Sequence, residues 1–124
     1  MPPQKSARQM PPLHWFVDDD NRPLALDVRG EKVFCFFGSR LNAETFKRTT
    51  LDAPGDWILV GNGSADYLIG LCEEAGREGY GAFALDPPPN PPREHGGWFP
   101  TWTPDEFKGV IDRNAAAAAE RGRR

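Results

Sequence analysis

The sequence predicts an α/β (α+β) domain: a small mixed sheet of about five strands with a leading β-hairpin, a β-α-β unit and a C-terminal helix. Three observations carry that prediction. Asp56 to Asp86 reads as a strand, a tight turn, a helix and a second strand. Val33-Phe34-Cys35-Phe36-Phe37 is an unbroken apolar run, as in a strand covered on both faces. Thr103-Pro104-Asp105-Glu106 offers a threonine cap, a proline at the first helical position and a glutamate three residues after the cap.

In chain order, Met1 to Pro12 holds four prolines and few apolar residues, so it cannot offset its ordering entropy by burial and is expected to be a flexible arm (residues 1–12). Leu13 to Val17 then turns apolar and aromatic, Asp18 to Pro23 is a dense turn signal, and Leu24, Leu26 and Val28 alternate onto one face. Those two strands form the expected hairpin. Arg29 to Lys32 turns the chain into the Val33 to Phe37 strand, the candidate for the centre of the sheet. Gly38-Ser39-Arg40 breaks it, and Asn42 is placed to cap a short helix that carries Glu44 in its first turn and ends near Thr50.

After the turn Asp52 to Asp56 comes the strand Trp57 to Val60, a turn Gly61-Asn62-Gly63-Ser64, and a helix from about Ala65 to Glu78. In that helix Ala65, Leu68, Cys72 and Ala75 recur on one face, and Gly79 is placed to stop it. The strand Gly81 to Leu85 should then lie parallel to the Trp57 strand, joined to it by a right-handed crossover. Pro87 to Arg93 allows only extended chain, and Trp98 to Trp102 is an aromatic segment that folds back on the core or adds an edge strand. The last helix buries Phe107, Val110 and Ile111. One domain over residues 13–114 and an Ala/Arg-rich tail over 115–124, helical or frayed, complete the expected organisation.

A chain of 124 residues can bury a core without metals or disulfides. Its net charge of -3 and pI near 5.3 disfavour nucleic acid, which demands a basic stripe. No run approaches the ~18 apolar residues of a membrane span, and no apolar leader opens the chain, so a cytoplasmic protein is expected. Cys35 and Cys72 have neither CxxC spacing nor nearby histidines, and His14 and His95 are isolated, so no cofactor, metal or catalytic set is expected. The run Asp18-Asp19-Asp20-Asn21 has carboxylates in succession, without the alternation of a calcium loop, and reads as an acidic turn.

Two surfaces remain. Pro88, Pro91 and Arg93 form a PxxPxR pattern, and with Trp98, Phe99 and Trp102 they make the candidate surface for another protein. Alternatively Ser39, Arg40, Gly61, Gly63 and Ser64, at the two strand-to-helix junctions, could hold a phosphate, nucleotide or carboxylate. Against that second reading, Asp66 stands in the first helical turn, where it would repel an anion, and neither a dinucleotide fingerprint nor a P-loop is present. An edge-strand homodimer is also open.

Val33 to Ser39 followed by a short helix, and Ala82-Phe83-Ala84-Leu85-Asp86-Pro87 closing the last strand, together resemble the N-terminal domain of SseB-type bacterial proteins. The resemblance covers roughly Glu31 to Pro88 and lies in the pattern of elements. It implies an accessory interaction protein with no catalytic residues to carry over. Asp86-Pro87 departs from the asparagine-proline that is commoner in that family, and the Trp98 to Trp102 segment has no counterpart there.

Overall fold

A computed structural model describes residues 8–28, 30–51, 54–87 and 100–122. It has mixed α+β content, with five strands in two small sheets and three helices, and a hairpin opens it. The strands are β1 (Gln9–Val17), β2 (Ala25–Val28), β3 (Glu31–Phe36), β4 (Ile58–Ser64) and β5 (Ala82–Leu85). The helices are α1 (Arg40–Thr50), α2 (Ala65–Arg77) and α3 (Pro104–Gly122).

The chain reverses at Asp18 to Arg22, as the turn residues dictate. Asp18 N–H donates to Arg22 C=O at 3.0 Å, Leu24 N–H donates to Phe16 C=O at 2.9 Å, and Asn21 takes a left-handed φ of 64°. β2 then pairs antiparallel with β3, and β3 pairs parallel with β5 in the order β2-β3-β5. β1 pairs antiparallel with β4 in the second sheet. The sheets are stitched together at His14 and Phe37, which exchange two backbone bonds of 2.8 Å.

This arrangement corrects one expectation. β4, α2 and β5 follow one another along the chain, yet β4 and β5 are not neighbours: β1 takes the side of β4, and β5 goes to β3. Sequence order gives the succession of elements, whereas pairing is decided by which buried faces match. A second correction concerns Gly61 to Ser64, which continue β4 and do not form a turn. The glycines there permit close approach between strands. A Cβ on Gly61 would lie 2.6 Å from His14 Nδ1, and one on Gly63 would lie 2.8 Å from Met10 C=O.

β1 also begins earlier than expected, at Gln9, and takes in Pro11 and Pro12. These prolines fall where the register with β4 shifts, between Gln9 and Leu13, so no regular ladder bond is lost to their missing N–H groups.

Both faces of β3 are covered. Phe34 and Phe36 join Trp15, Leu68, Cys72, Phe83, Phe107 and Ile111 on the side of α2 and α3, while Val33, Cys35 and Phe37 join Phe16, Ala43 and Phe46 on the side of α1. The α2 face that is buried is Ala65, Leu68, Cys72 and Ala75. Gly79, at a φ of 99°, supplies the stop after α2. α3 starts with the reciprocal box: Thr103 N–H donates to Glu106 Oε1 at 2.9 Å and Glu106 N–H donates to Thr103 Oγ1 at 3.1 Å. The helix continues past Asn114, and Ala115 is buried.

Candidate functional site

The aromatic and proline-rich surface is described only at its ends. Pro88, Pro91, Arg93, Trp98 and Phe99 lie outside the described residues. On one side of them, Asp86 N–H donates to Phe36 C=O at 2.8 Å and Pro87 is buried. On the other, Trp102 exchanges two backbone bonds with Phe83, at 2.8 and 2.9 Å. Both ends of the 88–101 segment are therefore fastened to β5 or to its parallel neighbour. Trp102 is half-buried, with its ring 5.6 Å from that of Phe107, so part of its apolar surface already serves the core.

The second candidate, at the strand-to-helix junctions, has detailed geometry. Ser39 is the N-cap of α1, its Oγ accepting from Asn42 N–H at 3.1 Å, while Asn42 itself lies inside the helix. The Asp86 carboxylate reaches the same turn: Oδ1 accepts from Gly38 N–H at 3.0 Å and from Asn42 Nδ2 at 3.2 Å. An anionic group of the protein's own thus already sits at the start of α1. Ser64 caps α2 through Tyr67 N–H at 3.3 Å, and Asp66 in the first turn of that helix is held by Arg8 at 2.9 Å. Arg8 also reaches Asp112 on α3, at 2.8 Å.

The two junctions do not lie side by side, because β1 runs beside β4. Between them stands His14, whose ring packs on Gly61 and whose charge is disfavoured first by burial and then by Arg40 nearby. Arg40 is otherwise exposed and lies 4.0 Å from Glu44 one turn along α1. The structure thus gathers Arg40, His14 and Gly61 into one neighbourhood, with Ser39 adjoining Arg40. Gly63 and Ser64 lie further along β4, against Met10 and at the α2 cap.

Other groups with chemical potential are committed elsewhere. The Cys35 and Cys72 thiols are free and are pushed up to about 12 by burial, in different clusters. Asp18 Oδ1 accepts from the N–H groups of Asp20 and Arg22, both at 2.9 Å, which makes the acidic run a turn-closing device. Among the described residues no three histidine, cysteine or acidic side chains gather in a metal-binding arrangement. Likewise, no described helix is long and apolar enough to cross a membrane.

Two open depressions were not anticipated. One, of about 330 Å³, lies between the Asp20 to Pro23 turn and the Tyr67 and Glu74 face of α2, with Glu78 just past the helix end; its lining includes Tyr80, whose hydroxyl donates to Pro23 C=O at 2.7 Å. The other, of about 580 Å³, lies between the start of β1 and the alanine face of α3. The polar face of α2 was legible from helical spacing, but nothing local says that the hairpin turn stands opposite it. No protein-family model matches the chain, and no curated protein does.

Proposed function

We propose that this chain is a non-enzymatic protein-interaction module that acts by surface recognition, of the adaptor, secretion-accessory or inhibitor kind. Its partner-binding residues are Pro88, Pro91, Arg93, Trp98, Phe99 and the exposed part of Trp102. The observation that supports this reading is the anchorage at both ends of the segment. Asp86 and Trp102 tie it to β3 and β5, and a recognition segment on a rigid footing loses less entropy on binding than a free one. Prolines lower that loss further, and tryptophan is the side chain most enriched at binding hot spots. The resemblance to SseB-type domains supports the same class of function, and a bacterial, cytoplasmic setting belongs to the same proposal. The small-anion alternative has less support, because Asp86 already occupies the Gly38 amide and Asp66 stands at the start of α2.

The test is affinity capture of the tagged chain from its source cells, compared with its Trp98→Ala variant. The expected result is a stoichiometric protein partner that the variant loses while its circular dichroism and Tm stay unchanged. Equal recovery of that partner with the variant overturns the assignment of the surface. A thermal-shift response to phosphate, nucleotide or a carboxylate metabolite, abolished by Arg40→Ala, would favour the alternative.

A further inference from the structure

β4 has a strand beside it on one side only among the described residues. The bonding of β1 fixes which groups of β4 face outward. His14 exchanges both of its backbone bonds with Phe37, and Phe16 C=O accepts from Leu24 N–H, so these two residues turn away from β4. Successive residues of a strand point their peptide groups to opposite sides. Leu13, Trp15 and Val17 therefore face β4 and meet Asn62, Val60 and Ile58, while Leu59 and Gly61 direct N–H and C=O to the open side. Those four groups have no strand partner among the described residues.

Natural edges are blunted by charge, proline or bulges. Ile58-Leu59-Val60-Gly61-Asn62-Gly63-Ser64 contains no charged residue and no proline, and Ile58 is 54% exposed. Of the nearby cations, Lys47 donates to Trp57 C=O at 3.1 Å, just ahead of the strand, and Arg40 lies close to His14, whose ring packs on Gly61. The outward groups are also self-complementary. Set two copies of β4 antiparallel with Val60 opposite Val60, and Leu59 of each copy exchanges two hydrogen bonds with Gly61 of the other. The N–H and C=O groups of Leu59 and Gly61 on each copy are then used, while Gly63, outward by the same alternation, falls opposite Trp57 of the other copy, at the end of the pairing.

We propose that the chain forms a twofold dimer through β4, a second copy adding its own β4 antiparallel in the register centred on Val60. This surface is separate from the proline and tryptophan segment, so the dimer and the partner reading stand or fall independently. Val60 of the two copies forms a non-hydrogen-bonded pair, in which opposed Cα atoms lie about 4.5 Å apart. That spacing suits a disulfide.

The experiment combines sedimentation velocity of the unmodified chain with oxidation of Val60→Cys by oxidised glutathione. The native thiols are buried, so Cys35 and Cys72 do not compete. The expected result is a dimer that becomes covalent in Val60→Cys and reverts on reduction, with Tyr67→Cys, exposed but off the axis, cross-linking about tenfold more slowly or worse. Amide exchange of the unmodified chain is the second measurement and needs no variant. Leu59 and Gly61 should slow by about tenfold or more between dilute and concentrated protein. A chain that is monomeric throughout overturns the proposal, as does a dimer in which these two amides exchange as at a free edge.

Discussion

Asp86 carries two burdens that conflict in most residues. Its φ of 52° lies in the left-handed region, where side chains other than those of glycine, asparagine and aspartate are strained, and its carboxylate holds Gly38 N–H and Asn42. Asp86→Asn keeps a side-chain acceptor and the tolerance for positive φ, so chemical denaturation should show a loss under about 0.5 kcal/mol. Asp86→Ala removes the acceptor and retains the strain, and a loss of about 1–3 kcal/mol is expected. Equal losses for the two variants would show that the carboxylate does not hold the turn. Gly61 makes a similar argument through space. Gly61→Ala would drive a Cβ into the His14 ring, with an expected loss of about 1–3 kcal/mol that shrinks when His14 is also shortened to alanine. The buried thiols give a pH dependence of definite sign. Folding raises Cys35 and Cys72 from 9.0 to about 12, so the unfolded chain releases those protons first. Stability is complete below pH 9 and falls as pH rises from there towards about 12, by roughly 1 kcal/mol per unit per thiol, which denaturant midpoints across that range will read. At neutral pH a thiol reagent should label neither cysteine until the protein unfolds.

At the scale of the element, α3 packs on the sheets through Ile111 and Ala115 and through an aromatic run centred on Phe107. Phe107 is fully buried and stacks 5.2 Å from Phe36 and 5.4 Å from Phe83, both at near-parallel angles. Phe107→Ala should therefore cost about 3–5 kcal/mol. Thr103→Ala removes only the cap and should cost about 1 kcal/mol. Comparing the two separates docking from helix initiation: if both variants lose the same stability by thermal denaturation, the aromatic stack is not what holds α3. The capping box of α3, the buried face of α2 and the stop at Gly79 could be read in advance because each depends on residues within a few positions of one another. β4 was misread at Gly61 to Ser64 for the complementary reason. A Gly-Asn-Gly-Ser run is a turn by local preference, and only the arrival of His14 and the Met10 carbonyl across the sheet makes the same glycines a requirement of a strand.

The whole molecule is built around β3, which is parallel to β5 on one side, antiparallel to β2 on the other, and covered above and below. Its parallel pairing brings together segments nearly fifty residues apart, as with Phe36 and Leu85. Such long-range contacts are lost together, so a chain ending at Pro87 should not keep the fold. Without α3, the rings of Phe36 and Phe83 lose their Phe107 cover. The expected outcome is retained secondary structure in far-ultraviolet circular dichroism, dye binding to exposed apolar surface and no cooperative thermal transition. A cooperative transition in the shortened chain would show that the part of the fold ahead of α3 is self-sufficient.

By itself the sequence determined the class of this protein, the order of its helices and strands, and most of its buried face, because periodicity and capping are local. Ser64 could likewise be placed at a helix start without a structure, since its cap needs only a neighbouring amide, whereas the expected cap of α1, Asn42, gives way to Ser39. Which strands pair was decided only in three dimensions. Pairing depends on the fit of whole faces, and β1 took the place beside β4 that local reading had assigned to β5. The same competition placed the Asp86 carboxylate at the start of α1 and left Leu59 and Gly61 facing outward, two facts that no window of neighbouring residues contains.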